Sequence, residues 1–356
     1  MEYRTLLNPM YILFVLYLYF KDRKRKKREL LIFGEVIKDG YYNFIITLLI
    51  GAFFGIVTSY IFSFLRINLS YYIMFSYVLC TILGILNYRF MCISYGGGII
   101  STILLINSNL EAINILYLIA VTHFIEGILI LFDGKRNRNP LYFQIENNVV
   151  GGFLIEALWI LPILIKINNV LVLLPIFTGY KDVVIDKKIE GKINKSSLLT
   201  IIYSITLFVL TVVSINLNIK GVYILTALYS IIGHELIFQL NKENNYELNI
   251  KKPNGVEVLD ILDSKLPIKQ KDIIVRVNNK KVNCIKDIKK ILIKDGYYFS
   301  LLYINGEGKY KRLIINTNKL NIIPTINNPK YISRVLTGNS IVSSIRRRKF
   351  VNRNIN

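Results

Sequence analysis

Only two histidines, three cysteines and one tryptophan occur in the 356 residues, and these shortages exclude a good deal. Cys80, Cys92 and Cys284 lie far apart with no C-x-x-C spacing, so neither a disulfide framework nor a zinc ribbon is written into the chain. Cys80 and Cys92 fall in apolar stretches and read as small core residues. His234-Glu235 opens an H-E-x-x-H, but Phe238 stands where the second histidine belongs, so the usual intramembrane zinc-protease signature is incomplete. No G-x-S-x-G occurs either, which disfavours a serine hydrolase. Charge of one sign is also scarce. Lys and Arg number 45 against 23 Asp and Glu, yet Arg66 and Arg89 are the only basic residues between positions 40 and 132.

The basic residues that are present flank long apolar runs. Dense clusters stand at Lys21 to Arg28, Lys135 to Arg138, Lys181 to Lys195 and Arg346 to Lys349. A net charge of +22 could indicate nucleic acid, but clusters bordering hydrophobic spans follow the positive-inside rule, so a bilayer is the partner and nucleic acid is not. The first apolar run, Tyr11 to Phe20, precedes its charges and lacks a small-residue cleavage site, unlike a secretory signal. It reads as an uncleaved anchor with an outside N-terminus and a cytoplasmic basic loop at Lys21 to Arg28.

Further spans are expected at Tyr42 to Leu65, Tyr71 to Leu86, Met91 to Ile106, Ile113 to Phe132, Leu198 to Leu217 and Val222 to Leu240. Alternating sides puts Arg89 and Lys135 to Arg138 inside, with Arg66 a single exception. Val149 to Phe177 is too short for two full crossings and has basic loops on both flanks, which predicts a re-entrant hairpin bent near Lys166 to Asn169; one long tilted span is the rival. The expected fold is therefore an α-helical polytopic membrane domain over residues 1–240, with about seven spans plus a re-entrant hairpin. A small α/β domain over 241–322 and a basic, flexible tail over 323–356 follow it.

The C-terminal domain is the part with a motif. Asp272-Ile273-Ile274-Val275-Arg276-Val277-Asn278-Asn279-Lys280-Lys281-Val282 follows the D-x-I-x-x-V-N-G-x-x-V core of bacterial PDZ domains, with Asn279 in the glycine place. Gly255-Val256-Glu257-Val258 resembles the strand that opens the PDZ groove, and Pro267 sits where that family has S-P-A. Lys271 replaces the usual glycine before Asp272, and the usual arginine near Phe299 is missing, so a generic small α/β domain stays open. Helical spacing at Ile285 to Ile293 and a hairpin turning at Gly306-Glu307-Gly308 complete the pattern. The resemblance implies that an extended peptide adds beside Val256 to Leu262, with Ile288 and Leu292 lining a side-chain pocket. A terminal carboxylate would rest on the amides of Asn254, Gly255 and Val256, helped by Lys251 and Lys252; Val258 continues the peptide-binding strand.

The membrane part carries its own resemblance. His123 to Ile130, then Asn139-Pro140-Leu141-Tyr142, Val150 to Leu154, Trp159 to Pro162 and Gly233-His234-Glu235 are similar to the MinJ family, the polytopic PDZ proteins of Gram-positive division-site selection. That resemblance implies a non-enzymatic septal or polar adaptor, without cofactor, linking the division scaffold DivIVA to Min-type proteins that restrain FtsZ rings. Two other classes stay open: an accessory protein presenting substrates to a membrane or secreted protease, and a transporter-like protein using the hairpin and His123. His123, Glu126, His234 and Glu235, with Glu156 nearby in an apolar stretch, are ionisable groups at membrane depth. Structural pairing is the expectation for them, with a metal site or a proton path as the alternatives. Gly96-Gly97-Gly98 reads as tight helix packing or a kink.

Overall fold

A computed structural model describes residues 9–33, 36–37, 40–86, 88–145, 148–167, 170–185, 189–241, 254–261, 266–295, 298–316, 320, 322–325 and 333–334. Among the described residues, seven α-helices build the first part: α1 (Pro9–Phe33), α2 (Gly40–Phe64), α3 (Tyr72–Leu86), α4 (Ile93–Ile106), α5 (Ala112–Asp133), α6 (Ile189–Leu217) and α7 (Lys220–Asn241). Each of the seven apolar runs lies on one of them. Of these, α2, α5, α6 and α7 are long and apolar enough to cross a membrane, whereas α3 and α4 are apolar but shorter. The basic segment after the first run is not a loop. It continues α1 as helix, because Arg25 pairs with Asp22 and Glu29 one turn to either side at 2.7 and 2.5 Å.

The hairpin reverses where expected, with 168–169 outside the described residues, but its arms are strands. β3 (Asn148–Ile167) and β4 (Val170–Ile185) pair antiparallel along their whole shared length, and β2 (Arg138–Ile145) pairs with residues 148–155 of β3. A continuous apolar run carries no periodicity to separate buried helix from buried strand, so the sequence was silent on this point. Pro162 stands opposite Pro175, so neither missing N–H removes a rung from this pair. Beyond β2, the edge of β3 is covered by α2. A Cβ on Gly51 would sit 2.3 Å from the Ile160 carbonyl oxygen, and one on Gly55 2.6 Å from the Pro162 ring. One turn on, Ser59 Oγ accepts the Leu164 amide at 2.8 Å. The stripe Gly51, Gly55, Ser59 thus lets a helix lie directly on a strand edge and supplies an acceptor where one is needed. At the hairpin tip, β1 (Asn68–Leu69) pairs with Lys166 and Ile167.

The C-terminal module contains β5 (Val256–Ile261), β6 (Ile273–Val277), β7 (Lys280–Lys281), α8 (Ile285–Asp295), β8 (Tyr298–Ile304), β9 (Tyr310–Asn316) and β10 (Ile322–Pro324). Its sheet runs β10-β5-β6-β8-β9, with β7 beside β6. Asn278 and Asn279 take φ of 46° and 62°, the left-handed pair that a two-residue hairpin turn demands. Lys271 holds φ 72° at the place where the resemblance expects glycine.

The segment assigned to a flexible tail is partly built into the fold. Ile323 and Pro324 belong to β10, and β11 (Ser333–Arg334) pairs parallel with β2. The module also packs on the membrane part. Leu259 and Ile323 join its hydrophobic core, Tyr142 donates to the Pro324 carbonyl at 2.7 Å, and Arg138 pairs with Asp260 at 3.2 Å. The chain is thus a helical membrane part carrying a strand hairpin, with an α/β module docked against it.

Candidate functional site

Three consecutive glycines place the start of α4 among three helices. Added Cβ atoms would meet different neighbours: Gly96 would clash with Cys80 and Ser76 of α3 and Gly98 with Ser230 and Ile231 of α7, while Gly97 would press on Ile119 of α5. The expectation of tight packing holds, with each glycine serving a different neighbour. Cys92, just before α4, and Ser94 and Tyr95 in its first turn are thereby brought against α5, α6 and α7.

Here the two histidines of the chain meet. The Cys92 Sγ lies 3.1 Å from His123 Nε2, and the two imidazole centroids are 5.3 Å apart. One donor atom from each of Cys92, His123 and His234 falls within 4.8 Å of the others. Glu126, one turn along α5, comes to 3.7 Å of His123 Nε2, and its carboxylate accepts the Gly179 amide of β4. Ser94 Oγ is 2.9 Å from the same nitrogen and 3.1 Å from the Tyr203 hydroxyl.

Hydrogen-bond partners fix which ring atoms carry protons. His123 Nδ1 lies 2.8 Å from the Ile119 carbonyl, which can only accept, so Nδ1 donates and the neutral ring carries its lone pair on Nε2. Tyr95 donates to Glu235 Oε2 at 3.0 Å, so its oxygen is left to accept from His234 Nδ1 at 3.3 Å. The Nε2 atom of His234 is then the one with a lone pair to offer. Glu235 in turn pairs with Arg89 at 2.7 Å.

The four ionisable groups singled out from sequence therefore divide. His123, Glu126 and His234 converge, while Glu235 turns to Arg89 and Tyr95 and supports His234 from behind. Glu156 is not part of the cluster; it is an ion pair of the α1 side, 3.3 Å from Arg28 and 3.7 Å from Lys181. Cys92 was missed and read as core. No sequence spacing marks it, since its partners lie 31 and 142 positions away and only helix packing joins them.

In the module, Asn254 is exposed, and Gly255 takes φ 144° with Ile274 O only 2.6 Å from any added Cβ. Val256 and Val258 are buried, Ile288 is buried to 1% exposure and Leu292 is half-buried, all within or against one core cluster. Both edges of β5 are paired. β6 takes one, and β10 runs antiparallel along the other, with the Thr325 amide donating to the Glu257 carbonyl at 2.9 Å. Lys251 and Lys252 lie outside the described residues. No protein-family model, no curated protein and no solved structure matches this chain.

Proposed function

We propose that this protein is a membrane-anchored adaptor that docks protein segments at the cytoplasmic face of the bilayer and acts in division-site placement. One observation carries the docking reading: β5 takes an added antiparallel strand on the edge where the PDZ resemblance puts a ligand, and that strand is the chain's own Ile322–Pro324. A partner segment of similar apolar character would exchange with β10, gaining the same backbone bonds. The resemblance to MinJ-like proteins supplies the division role, with all seven helices crossing and the basic segments inside.

Replacing Ile322 and Ile323 by Asp should free the β5 edge and raise capture of partner segments by the full-length protein. A fluorescent fusion should collect at septa or poles, and deletion should give filaments or misplaced septa. Uniform membrane fluorescence with normal septum spacing in the deletion strain would end the division reading. Labelling of Gly306→Cys by an impermeant thiol reagent in intact cells would reverse the proposed sidedness.

A further inference from the structure

We propose that Cys92, His123 and His234, with the Glu126 carboxylate alongside, bind one zinc-class divalent cation that ties the start of α4 to α5 and α7. The geometry around His123 Nε2 points to it. That atom has a single lone pair, yet Cys92 Sγ, Ser94 Oγ and Glu126 Oε2 converge on it at 3.1, 2.9 and 3.7 Å. Only one of them can donate to that lone pair. A cation held by Cys92, His123 and His234 takes the sulfur and the ring nitrogen together, with the Glu126 carboxylate beside it.

The donor separations suit such an ion. Metal–sulfur and metal–nitrogen bonds of about 2.3 and 2.0 Å place tetrahedral S and N ligands about 3.5 Å apart. Cys92 Sγ and His123 Nε2 are 3.1 Å apart, and the donors of Cys92, His123 and His234 all lie within 4.8 Å of one another. Both imidazoles already have the support that metal-bound histidines need: Nδ1 of His123 donates to a carbonyl, and Nδ1 of His234 to a tyrosine held by Glu235 and Arg89. Ser94 loses nothing on metal entry. Tyr203 donates its proton to the Ser230 carbonyl at 2.7 Å, so its oxygen is open to the Ser94 hydroxyl. One thiolate with two imidazoles selects zinc or a similar borderline ion over magnesium or calcium. Ligation expels the Cys92 proton to solvent, and the thiolate with the neighbouring Glu126 carboxylate then balances the dication.

The test uses the full chain, purified in detergent through a tag without histidine and supplied with zinc. Elemental analysis should return about one zinc per chain after dialysis. Cobalt exchanged for zinc should show thiolate-to-cobalt charge transfer, which Cys80→Ser keeps and Cys92→Ser abolishes. Glu126→Gln should keep the band while losing metal at about ten-fold lower chelator concentration. Because Cys92→Ser can fail to fold, the wild-type chain gives a second readout. Zinc should shield Cys92 from alkylation, with exposed Cys284 reacting equally in both states. A wild-type chain that retains no zinc, or equal Cys92 alkylation with and without it, overturns the proposal.

Discussion

Helix α2 and strand β8 place their large side chains in opposite directions. On α2, Ile45, Leu49, Phe53, Ile56, Tyr60 and Phe64 point outward, each more than half exposed, while Gly51, Gly55 and Ser59 face inward against β3. On β8, Phe299, Leu301 and Tyr303 are buried and the alternate residues are not. The difference is one of solvent. Where the surroundings are hydrocarbon, apolar bulk gains nothing by turning inward, and close packing of small residues with satisfied polar groups holds the elements together. Where the surroundings are water, burying apolar area is itself the driving force.

The largest effect expected from this contrast lies in a polar contact of the helical part. Asp133 at the end of α5 accepts from Trp159 Nε1 at 2.7 Å and pairs with Arg136 at 2.5 Å, all with little solvent contact. Asp133→Ala leaves the guanidinium and indole without their carboxylate and should cost about 3–5 kcal/mol, read as a lower Tm in detergent. A loss below about 1 kcal/mol would mean the membrane part does not depend on its inward polar contacts.

In the module the corresponding loss is apolar. Ile288→Ala should cost about 2–4 kcal/mol through the cavity it leaves, read as faster amide exchange across β6 and β8. Leu292→Ala, half-buried, should cost about 1 kcal/mol and should lower partner capture without comparable loss of protection. Equal effects at the two positions would make Leu292 a core residue and remove it from the groove.

Gly55→Ala and Ile56→Ala compare the two faces of one helix directly. The first puts a Cβ 2.6 Å from Pro162 and should cost about 1–3 kcal/mol. The second trims an outward side chain and should stay within about 0.5 kcal/mol in detergent. Reversal of that order would place α2 in water.

The smallest effect concerns the cap of α8. The amides of Asn283 and Cys284 donate to Asp287 at 3.0 and 3.1 Å and hold its carboxyl below the usual range. A depressed folded value means the contribution is fully present above about pH 4, the unfolded value, and fades as pH falls through the folded one. Asp287→Asn should therefore lower the exchange protection of α8 at pH 7 and flatten its acid side, the two proteins converging as pH falls below the folded value.

The apolar runs on which the seven helices are built, the turns at Asn278-Asn279 and Gly306 to Gly308, and strands β5, β6, β8 and β9 of the module were legible in the residues themselves. Each rests on local chemistry: a run of apolar side chains long enough to prefer hydrocarbon, a residue that tolerates positive φ, an alternation of period two. The same chemistry told that His123, Glu126 and His234 are costly at membrane depth. It did not tell that Val149 to Phe177 pairs as strands, because an unbroken apolar run buries equally well as helix or sheet and its neighbours decide; here α2 offers a glycine edge. Nor did it show Cys92 beside His123, or β10 on β5, since those depend on which helix faces Gly96, Gly97 and Gly98 and on where residues 322–325 return. Contacts between residues far apart in sequence are set by packing, and packing was the part that only the tertiary structure decided.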